Sequence, residues 1–300
     1  MRKYQIYQVD AFTSEKFKGN PAGVVMNAEG LSDAQMLSIA RELNNSETAF
    51  ILSPNGPDHA VWIRFFTPGT EVPSCGHATI AAHYVRAREM NLPSCTVMQK
   101  IGIGILPVDI IAQDRDYKIV MTQGSIELSE PFAGTVRKDI VAALALSESD
   151  LENRCPLQVV STGHSKVLVG IKEKRKLDAL RPDLLRLTEI SKAIGCNGFF
   201  VFSFDSPGTG ILASGRMFAP AIGIAEDPVT GNANGPLGAY IVRHKLIEVH
   251  DGTMRFNAMQ GEAIGRPGVV EVQVDVHNGV PTKTRIGGRA VIVFRTEIEV

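Results

Sequence analysis

The chain carries one motif twice. Arg64-Phe65-Phe66-Thr67-Pro68 leads into Glu71-Val72-Pro73-Ser74-Cys75-Gly76-His77-Ala78, and Arg216-Met217-Phe218-Ala219-Pro220 leads into Glu226-Asp227-Pro228-Val229-Thr230-Gly231-Asn232-Ala233. Arg, Phe, Pro, Glu, Pro, Gly and Ala recur in the same order. Offsets between matched points drift slowly: 144 from Gly19 to Gly163, 150 from Phe50 to Phe200, 152 from Arg64 to Arg216 and 155 from Gly76 to Gly231. That is the drift of a duplication with small loop insertions. Two similar lobes facing each other make a cleft, and chemistry is expected where the halves stop matching.

At 300 residues the chain is long enough for two domains with separate cores. A net charge of -1 gives no basic footprint for nucleic acid or an anionic membrane. No run of about 18 uncharged apolar residues predicts a membrane span, and the N-terminus lacks the pattern of a signal peptide. Cys75, Cys95, Cys155 and Cys196 are widely spaced, which argues against a zinc ribbon or a dense disulfide framework. The expectation is a cytoplasmic protein in a reducing compartment.

Each half follows one plan. Gln5 to Phe12 reads as a strand, Gly19 to Gly23 as a turn, and Val24-Val25-Met26 as an apolar run. Ser32 with Gln35 forms a capping box. Ala34, Leu37, Ala40 and Leu43 then fall on one helical face, and Asn44-Asn45 ends the helix. Thr48–Leu52 and Val61–Phe66 read as strands. In the second half the run Val167 to Val169, a helix from Asp183 to Ile194 closed by Gly195, and a strand from Gly198 to Phe204 repeat the order. One long helix follows Gly76 and another follows Gly231. The pattern predicts an α+β protein with a strand-rich shell around a helix in each half, and not a βαβ alternation. Ile101-Gly102-Ile103-Gly104 has Pro107 where a dinucleotide fingerprint needs its third glycine, so it reads as a glycine-bearing strand. The lobes are expected to divide near Asp114-Arg115-Asp116, as 1–116 plus 286–300 and 117–285, with the last strand, Ala290 to Phe294, returning to complete the first lobe.

A glycine at a helix start exposes bare backbone N–H groups, and the helix N-terminus carries roughly half a positive charge. The starts at Gly76 and Gly231 therefore suit a carboxylate, or alternatively serve close packing. Aligning Ser46-Glu47-Thr48-Ala49-Phe50 with Cys196-Asn197-Gly198-Phe199-Phe200 sets Glu47 against Asn197, a proton carrier against an amide. Glu47 stands between a helix end and a buried-looking strand, where a carboxylate is costly unless it is paired or functional. His77 matches Asn232 and Asp227 matches Val72. His77 suits proton shuttling near neutral pH, and Asp227 suits catalysis or helix capping. Cys75 at a helix start is a candidate nucleophile, but its partner is Thr230, so no two-thiol mechanism is available. His77 and His83 face different sides of their helix and make no metal pair.

These segments, with Gln260-Gly261, Gly265-Arg266-Pro267-Gly268 and Gly287-Gly288-Arg289-Ala290, resemble the phenazine-biosynthesis PhzF-like family of the diaminopimelate-epimerase-like superfamily. The resemblance covers nearly the whole chain. It implies two pseudo-symmetric lobes, each a strand-rich barrel around a central helix, with the active site between them. It implies an isomerase working without metal or cofactor, with Glu47 as acid/base supported by His77 and Asp227. Asn20, Gly76, Thr230, Gly231 and Asn232 are the expected substrate-binding positions, the partner is a small carboxylate, and a homodimer follows by analogy. Many family members have Ser where this chain has Asn232, and Asn234-Gly235-Pro236 is also unusual, so the phenazine precursor does not carry over as substrate. Two other classes stay open: a binding or sensing protein without turnover, and a Cys75-dependent enzyme.

Overall fold

The computed structural model describes residues 2–196, 198–205 and 210–300. Backbone contacts divide the chain into Met1–Thr122 with Gly287–Val300, and Gln123–Ile286. The first crossing thus falls six residues beyond the expected one. Asp114 and Arg115 both take positive φ, and Gln113 pairs with Asp116. The polar triplet is a two-residue hairpin turn inside the first unit, because two successive positive-φ residues match the twist of antiparallel strands.

The first unit runs β1 (Lys3–Ala11), β2 (Asn20–Met26), α1 (Asp33–Leu43), β3 (Thr48–Leu52), β4 (Val61–Phe66), β5 (Glu71–Val72), α2 (Gly76–Met90), β6 (Cys95–Ile101), β7 (Gly104–Gln113) and β8 (Asp116–Thr122). The second runs β9 (Glu127–Leu128), α3 (Gly134–Ala143), β10 (Gln158–Ser161), β11 (Ser165–Ile171), α4 (Lys174–Asp178), α5 (Leu184–Ile194), β12 (Phe199–Ser203), β13 (Ile211–Ala219), β14 (Ile224–Asp227), α6 (Gly231–Arg243), β15 (Gly252–Gln260) and β16 (Gly268–His277). β17 (Val280–Glu299) begins in the second unit and ends in the first.

In the first unit the ladder closes on itself in the order β1, β2, β3, β4, β6, β7, β8, β17 and back to β1. The returning strand expected from Ala290 to Phe294 is the C-terminal part of β17, where Ala290 pairs with Ala11 and Phe294 with Gln8. Closure removes the sheet edges. α2 fills this barrel: every residue from Gly76 to Ala87 is buried, as a helix enclosed on all sides requires. α6 is buried likewise in the second unit, apart from Asn232 and Arg243. The same ladder logic recurs there. β11 and β12 are parallel as β2 and β3 are, and β13 and β15 are parallel as β4 and β6 are.

Local expectations held in most places and failed in three. The Ser32–Gln35 capping box forms and Asn44 ends α1 in the left-handed region. The α1 face is rotated, however: Met36, Ile39 and Ala40 are buried and Ala34 is exposed. The turn before β2 ends at Gly19, with Asn20 already in the ladder. Gly19 has φ +60°, and a Cβ there would sit 2.1 Å from the Ala11 carbonyl oxygen, so no other residue fits without movement. Ile101 pairs with Gly104, so Gly102-Ile103 is a hairpin turn and not part of a strand.

Candidate active site

The repeated Arg and Glu build the same scaffold in each unit. Arg64 Nε and Nη2 donate to the Glu71 carboxylate at 2.7 Å each, and Arg216 donates to Glu226 at 2.8 and 2.7 Å. Each guanidinium lies 5.1 Å from the ring centre of the Phe two residues on. These paired forks hold the short strands β5 and β14, which lead into α2 and α6. Neither helix has a side chain capping its N-terminus from the N-cap residue, Cys75 or Thr230. In both, the fourth helical residue bonds back to the N-cap carbonyl: the Thr79 hydroxyl at 2.6 Å and the Asn234 amide at 2.9 Å.

At the start of α2 three expected groups come together. The His77 Nε2 lies 3.4 Å from a Glu47 carboxylate oxygen and 3.3 Å from the Ser46 hydroxyl, while Nδ1 lies 3.5 Å from the Cys75 sulfur. Glu47 projects from the link between α1 and β3, its side chain 14% exposed against 7% for His77. The chain is anchored on both sides of it. Asn45 exchanges two 2.9 Å side-chain bonds with Gln8, and the Glu47 carbonyl accepts from Gly23 N–H. Donor atoms of Glu47, Cys75 and His77 all lie within 4.8 Å of one another. The thiol meets one ring nitrogen and the carboxylate meets the other. The imidazole can therefore relay a proton between them. His83 is elsewhere: wholly buried, 3.0 Å from Gln99 Oε1, and pushed down to about 3 by burial.

At the start of α6, the Thr230 hydroxyl donates to Asp227, and Gln260 fastens the turn. Gln260 Oε1 accepts from Thr230 N–H at 3.0 Å and from the Asn234 amide at 3.1 Å, while Nε2 donates to the Asp227 carbonyl at 2.8 Å. Gln123 makes a second brace, accepting from Thr162 at 2.9 Å and donating to the Gly231 carbonyl at 3.1 Å and to Asn232 Oδ1 at 3.2 Å. A Cβ on Gly235 would meet Gln123 Oε1 at 1.7 Å, which accounts for a glycine inside the first turns. Asp227 accepts the hydroxyl of Thr230, the N-cap residue of α6. Asn20 is wholly buried at the head of β2. Gln260 and Gln123 were missed as site residues. Gln260-Gly261 carried the family resemblance without a role, and nothing in the sequence around Gln123 marks it.

Strand register corrects one alignment. Asn44 and Gly195 are the left-handed caps of α1 and α5, Thr48 pairs with Phe66, and Phe199 pairs with Phe218. Each equivalence puts Glu47 level with Gly198, one place beyond Asn197, which lies outside the described residues. The same registers make Val72 and Asp227 equivalent, as the sequence suggests. A one-residue slip turns a strand's other face outward. Phe50 packs with Met36 and Ile39 of α1, whereas Phe200 packs with Leu237 and Tyr240 of α6, so the Phe50–Phe200 identity is a coincidence of composition.

The model of the phenazine biosynthesis-like protein family matches residues 9–296. The chain belongs to that family. It is 52% identical to the uncharacterized isomerase YddE of Escherichia coli K12, over 98% of both chains. It is 31% identical to the trans-2,3-dihydro-3-hydroxyanthranilate isomerase of Pseudomonas chlororaphis, over 97% of both. The crystal structure of the Bacillus anthracis PhzF-family phenazine biosynthesis protein superposes with a TM-score of 0.90 at 30% identity over the whole of both chains. A proline-racemase fold from Agrobacterium radiobacter superposes at 0.66, with 14% identity over 99% of this chain and 93% of the other, a likeness of fold alone. Members of the phenazine biosynthesis-like family thus share this α+β racemase-like architecture, and this chain is an isomerase of the PhzF type. Among the described residues no helix is long and apolar enough to cross a membrane.

Proposed function

We propose that the chain isomerises a small carboxylated substrate by moving a proton on carbon, without a cofactor, with Glu47 as the acid/base. The observation that carries this reading is the Glu47 carboxylate held 3.4 Å from His77 Nε2 at an uncapped helix start. A carboxylate so placed can take a proton from carbon and return it at another position, while the helix start and the imidazole stabilise charge that develops on the substrate. Asp227 is the second group proposed for proton handling, and the uncapped starts at Gly76 and Gly231 are proposed to bind anionic oxygen. Relatives that act on dihydro-hydroxyanthranilate support a carbon-acid reaction. Asn232, with Gly235 and Pro236 following, favours a different carboxylate here.

The test is deuterium exchange in D₂O, followed by NMR, over small amino acids and unsaturated ring carboxylates, with wild type and Glu47→Gln. Exchange at one carbon that disappears in the variant supports the assignment and reveals the substrate class. Full exchange in Glu47→Gln rejects it. One observation favours a second reading: Cys75 sulfur lies 3.5 Å from His77 Nδ1, within reach of a base. Loss of activity in Cys75→Ser with retained ligand binding would favour that reading over the first.

A further inference from the structure

The proton-transfer reading uses the Glu47 carboxylate and the His77 imidazole and leaves the thiol beside them without a task. Cys75 is in no disulfide. It is buried, as His77 is, while Glu47 is partly exposed and opens the cluster to solvent. Cys75 is also the N-cap residue of α2, and a helix start favours the thiolate over the thiol. Among the described residues no other three Cys, His, Asp or Glu donors lie within 4.8 Å of one another.

The set suits one class of ion. Sulfur, nitrogen and oxygen donors together match zinc, a borderline-soft cation, whereas magnesium and calcium take oxygen. Tetrahedral zinc, with bonds of about 2.0–2.3 Å, spaces its ligand atoms about 3.3–3.6 Å apart. His77 Nδ1 already stands 3.5 Å from the Cys75 sulfur, so Nδ1 is the nitrogen for the metal. Nε2 then keeps the Ser46 hydroxyl at 3.3 Å, the outer partner that orients a ligating imidazole. The Glu47 carboxylate, the most exposed of the three, swings in as third ligand, and a fourth position stays open to water. The second unit holds no such set. Thr230 and Asn232 stand where Cys75 and His77 stand. Register sets Gly198 level with Glu47, and a Cβ there would meet Lys166 Cδ at 2.6 Å. A lysine stem thus fills the space of the carboxylate.

We propose that Cys75, His77 and Glu47 bind one zinc ion and that zinc switches the site off. The thiol gives its proton to the buffer as the sulfur–zinc bond forms, the imidazole binds neutral and the carboxylate binds ionised. Zinc then occupies the oxygen with which Glu47 would take a proton from carbon. It acts as an inhibitor and not as a cofactor of the reaction. The blocking role rests on the isomerase reading; the metal site does not.

Zinc chloride is titrated into the intact, reduced chain in competition with a chromophoric chelator. One ion per chain is expected, with a dissociation constant on the order of 1 µM or below. Binding should weaken as pH falls, because protons compete for all three donors. Cobalt(II) in place of zinc should show a thiolate-to-metal charge-transfer band. Losing an outer partner alone costs a metal site about 10- to 100-fold, so Cys75→Ser and His77→Gln should each weaken zinc by at least about 10-fold. Cys75→Ser should also abolish the band. Cys95→Ser, which removes the partly exposed thiol of β6, should bind zinc as wild type does. Saturating zinc should stop carbon exchange in wild type and excess chelator should restore it, whereas magnesium should do neither. Absence of one-to-one binding, or binding that survives both ligand variants, overturns the site. Exchange that continues in zinc-saturated protein overturns the blocking role. Full exchange in Glu47→Gln would reject the proton-transfer reading and leave the zinc titration standing, so the two failures are told apart. Circular dichroism checks the fold of each variant; if one does not fold, the other decides.

Discussion

The two helix starts are built on one plan and carry different chemistry. At α2 a carboxylate, an imidazole and a thiol meet within 4.8 Å. At α6 the equivalent positions hold Gly198, Asn232 and Thr230, and the ionisable groups are Asp227 and Lys166. The scaffold is the shared part: Arg–Glu fork, Phe under the guanidinium, N-cap without a capping side chain, and a back-bond from the fourth helical residue. Duplication gave two matching frames, and divergence put a candidate proton carrier in one and a clamp of amides and hydroxyls in the other. A frame held by ion pairs and backbone bonds tolerates that exchange, because the groups that changed are not the ones that hold the strands.

The largest expected effect would break the comparison outright. Glu47→Gln should lower substrate carbon exchange by about 10²- to 10⁴-fold, and Gly198→Glu, which places a carboxylate at the equivalent point, should not restore it. Restoration would mean that the halves are chemically interchangeable. Next come the forks. Arg216 is 6% exposed and also donates to the Leu177 and Leu180 carbonyls at 3.0 Å each, whereas Arg64 is 14% exposed and shares the well-exposed Asp33. Arg216→Met should cost about 3–5 kcal/mol and Arg64→Met about 1 kcal/mol, read from urea midpoints. Equal losses would show that burial does not distinguish the two frames.

His83 on α2 and Gly238 on α6 both stand seven residues beyond the helix-starting glycine. Burial holds His83 down to about 3 from an ordinary 6.5. The unfolded chain binds a proton there below about pH 6.5 and the folded chain does not until about pH 3. Stability should therefore fall with decreasing pH through that window, by at most roughly 1.4 kcal/mol per pH unit from this group. His83→Gln should flatten the corresponding part of the profile. The last effect is on the other helix. A Cβ on Gly238 would meet methyl groups of Val272 and Val274 at 2.7 Å, so Gly238→Ala should lower stability by about 1–3 kcal/mol. No loss would mean that α6 is packed less closely than α2.

Much of the fold was legible because its signals are local. The Ser32–Gln35 box, the Asn44 and Gly195 caps, and the strands Thr48–Leu52 and Val61–Phe66 are each specified by a few adjacent residues. The errors arose where a neighbour far along the chain decides. Ala34 fits a helical face by spacing, but β3 and β4 lie against the side that carries Met36. Two phenylalanines suggested an alignment that strand pairing shifts by one residue. Polar Asp114-Arg115-Asp116 suggested the boundary between the lobes, whereas its antiparallel partners make it a hairpin turn.

By itself the sequence determined that the chain is a duplication, that each half carries a glycine-started helix, and that Glu47, His77 and Asp227 break the symmetry. Repeats and side-chain chemistry are written residue by residue, so they survive without coordinates. Only the tertiary structure decided that Gln260 and Gln123 brace the start of α6 and that Lys166 occupies the space over Gly198. Those relations join residues thirty or more places apart, and a long-range contact is fixed by strand register and packing, which no local pattern encodes.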